Sequence, residues 1–249
     1  MISIIIITKN EAHNIQSCLD SVAWADEIIV VDSGSEDGTQ DICRTTNNCR
    51  LIETDWPGFG EQKNRALALA THEWVLSIDA DERIGDSLKA EIFSAMEQSH
   101  YDGFEIPRRS QYCGRFIDHS GWTPDYVLRL FKRDKAIFSN DKVHERIILN
   151  GKTGRLLNPM LHYSYENLEQ VLRKVDQYST LGAEQLYARG KRCGLGTALY
   201  KSFWAFIRTY LLRRGFLDGK QGVMLAISNA EATYYKYAKL ALMSEKAQK

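Results

Sequence analysis

The chain has 249 residues, with 32 Lys and Arg against 32 Asp and Glu, so its formal net charge at pH 7 is zero. Zero net charge argues against a general nucleic-acid binder, and the ordinary apolar and charged fractions exclude a disordered chain. The five cysteines form no C-x-x-C pair and leave an odd one out, which fits a reducing cytosol without a disulfide framework or a zinc site.

The first hundred residues alternate between apolar, β-prone runs and helical patterns. Strands are predicted at 2–7, 27–31, 50–53 and 73–78, and helices at 13–23, from 37, at 61–70 and at 86–98. The first run is too short for a signal segment, and no window of eighteen apolar residues predicts a membrane span. This alternation predicts an α/β protein with a mostly parallel, doubly wound sheet.

Beyond residue 99 the alternation stops. Shorter and more polar strands are predicted at 101–111, 126–132 and 143–149, followed by helices at 166–189, 197–214 and 219–243. We therefore expect a main domain over 1–189, with halves at about 1–99 and 100–189, and a basic helical region over 190–249.

Three carboxylates follow the fourth predicted strand, at Asp79, Asp81 and Glu82. Ligands of open α/β sheets bind outside the carboxyl ends of the strands, which is where these side chains are expected. Carboxylates this close repel one another unless a cation joins them. A divalent ion, held by one or two carboxylates and by substrate phosphates, removes that cost. The alternative is a solvated acidic turn before the helix that begins near Gly85.

Two other strand ends carry polar motifs, Thr8-Lys9-Asn10-Glu11 after the first strand and Asp32-Ser33-Gly34-Ser35 after the second. The first turn lacks G-x-G-x-x-G, which disfavours a dinucleotide-dependent oxidoreductase or methyltransferase. A haloacid-dehalogenase-like phosphatase carries its Asp-x-Asp after the first strand, whereas here the pair follows the fourth. A glycosidase needs two carboxylates that flank the scissile bond and no nucleotide pocket.

Together with Asp79-Ala80-Asp81, these two motifs resemble the nucleotide-sugar-dependent family 2 glycosyltransferases of the GT-A fold. Other segments resemble the lipopolysaccharide inner-core β-1,4-glucosyltransferases: Gln62-Lys63-Asn64, Gly121-Trp122-Thr123-Pro124-Asp125, Arg129-Leu130-Phe131, Val143-His144-Glu145 and Leu161-His162-Tyr163-Ser164-Tyr165. The resemblance implies a nucleotide-binding half before residue 99, an acceptor half up to 189 and a helical C-terminal extension. It implies a donor, UDP-glucose, a divalent ion, Mg²⁺ or Mn²⁺, and a lipid-linked lipopolysaccharide core heptose as acceptor.

The same resemblance implies a nucleotide-sugar site. Its members are Thr8, Lys9, Glu11, Asp32, Lys63, Asn64, Asp79 and Ala80. Asp32 is expected to accept a hydrogen bond from the uracil ring, with a helix cap as the alternative. Lys63 and Asn64, early in their helix, are expected to contact a phosphate or the sugar, with a solvated lysine as the alternative. Asp79 is expected near the ribose or the sugar.

The metal ligands implied are Asp81 and His144, and His144 is alternatively a phosphate contact or a structural residue. Glu82 is interpreted as a surface acid. Transfer also needs a general base that takes the proton of the acceptor hydroxyl. The glutamate–aspartate pair common elsewhere in the family is missing here, which leaves Asp125 and Glu145 as candidates. Asp125 is preferred because it follows a glycine and a tryptophan in a predicted acceptor loop.

Acceptor contacts are expected from Trp122 and Arg129. On its strand, Arg129 would orient Asp125 or bind an acceptor phosphate, with an ion pair at the edge of the core as the alternative. A single displacement by the acceptor oxygen inverts the anomeric centre, so a UDP-α-sugar gives a β-linkage.

The helix predicted at 197–214 is amphipathic and basic. One face carries Leu199, Phe203, Phe206, Ile207 and Tyr210, and Asp218 is the only acid from Arg189 to Lys220. This composition is typical of a helix in an anionic membrane interface, with Phe203, Phe206, Ile207 and Tyr210 in the lipid and Trp204 near the headgroups. We therefore expect a cytoplasmic protein held peripherally on the inner leaflet. The alternative is an ordinary helix packed on the domain.

Two further functions remain open at this stage. One is a glycosyltransferase of the same fold that acts on a protein or another glycan, and the other is a non-catalytic module that binds sugar nucleotides. The donor hexose and the oligomeric state are also left open by the sequence.

Overall fold

The computed structural model describes residues 1–97, 100–139 and 146–246. No helix within these ranges is long and apolar enough to cross a membrane. The chain divides into two compact units. The first unit contains Met1–Arg108 and Asp125–His162, and the second contains Arg109–Pro124 and Tyr163–Lys249.

The described strands are β1 (Ile2–Thr8), β2 (Glu27–Asp32), β3 (Cys49–Glu53), β4 (Trp74–Ser77), β5 (Glu82–Arg83), β6 (Gly103–Tyr112), β7 (Arg115–Phe116), β8 (Asp125–Lys132), β9 (Ala136–Phe138), β10 (Ile147–Leu149), β11 (Thr153–Arg155) and β12 (Met160–Tyr165). The described helices are α1 (Ala12–Ser21), α2 (Thr39–Thr45), α3 (Phe59–Leu69), α4 (Asp86–Met96), α5 (Leu168–Ala188), α6 (Leu195–Ile207) and α7 (Gly219–Lys246). Of the strand predicted at 143–149, residues 143–145 lie outside the described ranges.

The first unit begins with four parallel strands in the order β3-β2-β1-β4. Alternate side chains of β1 enter two different apolar layers: Ile4 packs with Leu19 of α1, and Ile5 packs with Leu67 of α3. Because both faces are covered by helices, a strand at this position needs apolar residues throughout, which explains the continuous run that predicted it. The parallel βα half of the prediction is confirmed.

The sheet is mixed beyond β4, because β8 pairs antiparallel with β4 and β6 pairs antiparallel with β8. Parallel neighbours need a long crossover connection, usually a helix, and no helix separates β6, β7 and β8. The prediction of a doubly wound sheet therefore holds only for the N-terminal half. At the acidic edge, the short strand β5 pairs antiparallel with β12, which places Glu82 opposite His162.

The second unit contains the three C-terminal helices. Helix α6 ends at Ile207 and is followed by a wider π-helical turn over Arg208–Leu212, where one continuous helix to residue 214 is predicted. Helix α5 packs along α7, and the ammonium of Lys239 donates to Asp176 at 2.8 Å and to Thr180 at 2.7 Å. Helix α5 thus groups with the helices after it, whereas the sequence places the domain boundary at 189/190.

Candidate active site

The turn that follows β2 is organised by Asp32, whose side chain is fully buried. Its Oδ1 accepts hydrogen bonds from the N–H of Gly34 (3.1 Å), the N–H of Ser35 (2.8 Å) and the amide of Gln40 (2.7 Å). Its Oδ2 accepts the hydroxyls of Thr8 (2.8 Å) and Ser35 (2.5 Å). Burial alone would raise the pKa of Asp32, but these donors favour the ionised form and lower the pKa overall.

The turn that follows β1 is bonded to the turn after β2. The N–H of Asn10 donates to the Ser35 hydroxyl at 2.8 Å, and the Asn10 side-chain oxygen accepts from the N–H of Glu36 at 2.9 Å. The N–H of Glu11 donates to the hydroxyl of Thr39 at 2.9 Å. The predicted nucleoside residues on the two turns are therefore held as one hydrogen-bonded unit.

Glu11 also belongs to the acidic edge electrostatically. Burial raises the pKa of Glu11, its hydrogen bond from Asn14 opposes the rise, and the negative charge of Asp81 adds to it. Of the other predicted residues, Lys9 in the turn after β1 is exposed, and Ala80 in the acidic edge after β4 is buried.

The Gln62-Lys63-Asn64 segment of α3 has three separate attachments. Gln62 is buried and donates to the hydroxyl of Ser33 at 2.9 Å, which ties α3 to the turn after β2. The amide of Asn64 is bonded at both ends to the backbone of Phe138, with each distance 2.9 Å. Lys63 is buried, so the solvated alternative is wrong. The structure gives Asn64 a role in holding α3, and its contact with the nucleotide sugar stays a prediction.

A chain of ion pairs begins at Asp79. Its Oδ1 lies 3.0 Å from the ammonium of Lys63, and its Oδ2 lies 2.6 Å from Nη2 of Arg129. The same Nη2 donates to Oε1 of Glu82 at 2.8 Å, and Oε2 of Glu82 accepts the N–H of Asp79 at 2.8 Å. Glu82 is fully buried, so its interpretation as a surface acid is wrong. From this buried position its side chain holds the acidic turn through the hydrogen bond to the backbone N–H of Asp79.

The chain of ion pairs continues from Glu82 to Asp125 through Arg108. Nη1 of Arg108 lies 3.6 Å from Glu82, and its Nε and Nη2 donate to Oδ2 of Asp125 at 2.9 and 2.7 Å. Both bonds go to one oxygen, which leaves Oδ1 of Asp125 without a hydrogen-bond partner among the described residues.

The guanidinium of Arg129 contacts Asp79 and Glu82 and not Asp125. Of the roles considered for Arg129 from the sequence, this corresponds to the ion pair at the edge of the core. The Nε–H of Arg129 is buried without a partner in the described part of the chain.

These contacts separate the protonation behaviour of two neighbouring carboxyls. Burial would raise the pKa of Asp79, but the charges of Arg129 and Lys63 outweigh it and hold the pKa well below the usual range. Burial raises the pKa of Glu82; the charge of Arg129 opposes that rise, and the charge of Asp79 adds to it. Asp79 is therefore an ionised acceptor at neutral pH, while Glu82 is a structural carboxyl.

Asp81 stands apart from this chain of ion pairs. Its side chain is partly exposed, and its Oδ2 lies 3.2 Å from Nε2 of His162 on β12. Within 1–97, 100–139 and 146–246, no three His, Cys, Asp or Glu side chains converge as a metal site. The carboxylate of Asp81 suits Mg²⁺ or Mn²⁺, whose other ligands are phosphate and water, whereas the imidazole of His162 is a ligand that transition metals take. The predicted ligand His144 and the predicted base Glu145 lie outside the described residues.

The predicted acceptor residue Trp122 belongs to the second unit. Its ring packs against Tyr112 and Tyr165, with centroid distances of 5.9 and 6.1 Å. The loop before it is held by the buried carboxylate of Asp218, which accepts the hydroxyl of Ser120 at 2.7 Å and contacts Nδ1 of His119 at 3.1 Å. This loop is therefore built on the turn that precedes α7.

Replacement of Arg129 by methionine is expected to reduce the free energy of unfolding by about 3–5 kcal/mol, because it leaves the buried Glu82 and its neighbour Asp79 without their common cation. Urea unfolding followed by circular dichroism measures the loss. The matched control is Arg155→Met, which removes an exposed pair with Glu105 and should cost less than about 1 kcal/mol. Equal losses in the two variants would contradict a buried ion-pair chain.

Sequence reasoning does not identify Arg108 or assign a role to His162. Arg108 lies 17 residues before Asp125 in the chain and reaches it only because β6 and β8 pair in register there. His162 reaches Asp81 through the pairing of β12 with β5. The sequence does indicate that Arg108 lies on a predicted strand and that His162 lies in a segment that resembles the family. It does not indicate which strands pair, and the pairing is what brings each residue to its partner.

Comparison with known proteins gives one family. Residues 3–150 match the model of glycosyl transferase family 2. An uncharacterized glycosyltransferase of Rickettsia prowazekii is 32% identical over 260 residues, which covers 99% of this chain and 89% of that protein. The lipopolysaccharide core biosynthesis glycosyltransferase LpsC of Rhizobium meliloti is 30% identical over 258 residues, which covers 95% of this chain and 93% of LpsC.

Solved structures agree on the fold. The crystal structure of residues 1–349 of S. aureus TarS has a TM-score of 0.51 and 18% identity, and covers 100% of this chain and 92% of that one. The same protein in complex with UDP-GlcNAc has a TM-score of 0.51 and 16% identity over the same shares. The mixed sheet with C-terminal helices is a GT-A fold.

Proposed function

Because the chain belongs to glycosyl transferase family 2, we propose that it is an inverting glucosyltransferase that moves glucose from UDP-glucose to a heptose of the lipopolysaccharide inner core. The observation that carries the proposal is the chain of ion pairs from Lys63 to Asp125. It joins the acidic edge to a partly exposed carboxylate whose Oδ1 has no hydrogen-bond partner among the residues that the structure describes. The similarity to LpsC supports a lipopolysaccharide core acceptor. TarS, which shares the fold, has been solved in complex with UDP-GlcNAc. By analogy, we propose a UDP-sugar as the donor of this chain.

On the donor side, we assign the nucleoside to the two interlocked turns after β1 and β2. Thr8, Glu11 and Asp32 lie there. The buried carboxylate of Asp32 already accepts five hydrogen bonds, so a uracil N–H would have to replace one of these donors. The ionised Asp79 is partly exposed and held by two cations, so it can accept hydrogen bonds from the hydroxyls of the ribose or the sugar. Arg129 would act on the acceptor only indirectly, through these carboxylates.

The residues that would hold a divalent ion are Asp81 and His162, whose contact atoms lie 3.2 Å apart. When bound, Mg²⁺ or Mn²⁺ acts as a Lewis acid that stabilises the charge of the diphosphate leaving group. In the chain itself, Glu82 and Arg129 fix the turn that carries Asp81, because Glu82 bonds the backbone N–H of Asp79. The position of Asp81 is therefore set before any ligand binds.

On the acceptor side, Asp125 serves as the general base. It takes the proton of the acceptor hydroxyl while that oxygen forms a bond to the anomeric carbon and the bond from that carbon to UDP breaks. The two bonds from Arg108 to Oδ2 leave Oδ1 to receive the proton. Because a single displacement inverts the centre, an α-linked donor yields a β-linked product.

A thermal-shift panel of nucleotide sugars tests the donor assignment. A ligand that binds only the native state raises Tm, and at 100 times its Kd it stabilises that state by about 2.7 kcal/mol. At equal concentrations the tightest ligand gives the largest shift, which is expected for UDP-glucose with Mn²⁺. UDP-galactose, UDP-GlcNAc and GDP-mannose are the competitors. A larger shift with GDP-mannose, or none with any UDP-sugar, would reject the donor.

Release of UDP on addition of a heptose-terminated inner-core oligosaccharide tests the reaction itself. Release is expected only when UDP-glucose and this acceptor are both present. A thermal shift without UDP release would identify a non-catalytic module that binds sugar nucleotides. Release with another glycan or a protein acceptor instead would keep the enzyme and replace its acceptor.

A further inference from the structure

The second unit exposes a large apolar surface around α6. Between residues 195 and 217, large apolar side chains are 48–68% exposed. They are Leu195, Leu199, Tyr200, Phe203, Trp204, Leu211, Leu212, Phe216 and Leu217. We name these nine residues the α6 surface. Single exposed apolar residues are ordinary, but nine large ones within one helix and the turns that follow it are typical of an interaction site.

This surface is not the face by which α6 joins the fold. The inner face of α6 carries the buried Ala198 and Ala205, and the hydroxyl of Ser202 donates to the carbonyl of Ala230 on α7 at 2.9 Å. Thr209, in the turn that follows, is buried and accepts from Asn229 of α7 at 3.2 Å. These contacts hold α6 on α7, while the nine side chains of the α6 surface each keep about half or more of their area exposed.

The residues expected from the sequence to enter the lipid are only partly the exposed ones. Phe203 is 66% exposed, but Phe206, Ile207 and Tyr210 are half-buried. Phe206 stacks on Tyr210 with ring centroids 5.5 Å apart, and Tyr210 meets Phe216 edge-on at 6.2 Å. The π-helical turn after Ile207 adds Leu211 and Leu212 to the exposed side in their place.

The exposed charges of the stretch that carries the α6 surface are positive, and the partly exposed Glu231 of α7 is an acid beside Phe203. From Arg189 to Lys220 the chain has eight Lys and Arg residues, and all eight are exposed. The one acid in this stretch, Asp218, is buried and bonded to Ser120 and His119, so it adds no exposed negative charge. Burial lowers the pKa of Lys236 on α7, and the nearby positive charges of Lys201 and Arg208 lower it further.

We propose that the α6 surface docks on an anionic lipid bilayer, with its leucine and aromatic side chains among the acyl chains and its Lys and Arg side chains at the headgroups. Amphipathic helices that lie in membrane interfaces combine the same two features, an apolar face and flanking basic residues. A second copy of the chain is a poorer occupant, because a twofold contact would set this basic surface against itself. The proposal concerns the surface alone and does not rest on the proposed reaction.

Co-sedimentation of the full chain with vesicles tests the proposal without donor or acceptor. The protein is expected to bind vesicles that contain phosphatidylglycerol, to release as salt rises, and to ignore vesicles of phosphatidylcholine alone. The charge variant is Arg208→Glu, Arg214→Glu and Lys220→Glu together, at three exposed positions. It should weaken binding at least about 100-fold, because each basic residue near an anionic surface contributes roughly a factor of five.

A matched variant separates this surface from net charge. Arg50→Glu, Lys135→Glu and Lys152→Glu change three exposed cations of the first unit and alter the net charge equally, yet vesicle binding should persist. Phe203→Ser with Trp204→Ser should abolish binding while far-UV circular dichroism and the thermal shift with UDP stay unchanged.

Three results would overturn the proposal. Wild type could fail to bind anionic vesicles, or the first-unit variant could lose binding as strongly as the charge variant. Analytical ultracentrifugation could instead show a dimer that Phe203→Ser with Trp204→Ser dissociates, which would make the surface an interface between copies. None of these measurements depends on catalysis. A failure of the membrane proposal can therefore be distinguished from a failure of the proposed reaction.

Discussion

Replacement of Asp81 by alanine is expected to reduce glucose transfer by more than about 10²-fold and to leave the fold intact. Asp81 makes no contact in the chain of ion pairs from Lys63 to Asp125, so its removal costs little stability. Its loss removes the carboxylate that would share a divalent ion with the diphosphate. Steady-state kinetics measures the effect on transfer, and urea unfolding checks the fold.

Calorimetry of UDP binding gives this prediction a second readout. In the wild type, UDP should bind more tightly with Mn²⁺ than with EDTA, and Asp81→Ala should remove that difference. His162→Ala should weaken the same metal-dependent part of the affinity, since its Nε2 lies 3.2 Å from Asp81. The control is Asp134→Ala, at an exposed aspartate of the first unit. UDP affinity in the wild type that ignores the metal would reject the ligand assignment.

Replacement of Asp125 by asparagine is expected to lower kcat by about 10²–10⁴-fold with little change in the affinity for UDP-glucose. Asparagine keeps the shape and can still bond Arg108, but it cannot take a proton from the acceptor. A matched control lies nearby in the chain: Asp118 forms a similar pair with Arg109 at 2.6 and 2.7 Å, and Asp118→Asn should leave kcat almost unchanged. If Glu145→Gln reproduces the kinetic defect and Asp125→Asn does not, the base is Glu145.

The role of Arg108 follows from the same experiment. Arg108→Gln should lower kcat, because Asp125 loses the two bonds that hold Oδ2. In an Asp125→Asn background the same change should have almost no further effect, since there is no longer a base to position. Additive losses in the double variant would mean that Arg108 acts on stability or on the donor instead.

Local patterns were sufficient for the parallel half of the fold. The runs at Ile2–Thr8, Glu27–Asp32 and Trp74–Ser77 are apolar because each strand is covered on both faces, so the reason for the pattern is also the reason for the structure. The antiparallel half was less accessible. Its strands are partly exposed, and their order depends on pairings between segments far apart in the chain.

The candidate site shows the same division. The acidic edge at Asp79 and Asp81 was recognisable because its three carboxylates follow one another in the chain. The burial of Glu82 was not, because it depends on Arg129 and Arg108 on two strands that arrive more than twenty residues later. Sequence spacing indicated which residues are chemically suited to a site, and only the strand register shows which cation faces which carboxylate.

The five hydrogen bonds to Asp32 have a consequence for the affinity and speed of donor binding. A flexible turn that becomes ordered around a ligand loses about 1–2 kcal/mol per residue in backbone entropy, and that loss is subtracted from affinity. Here Gly34, Ser35 and Gln40 are already bonded to the buried carboxylate. The turn therefore meets its ligand in a fixed conformation, and a nucleotide can dock there without waiting for the backbone to fold around it.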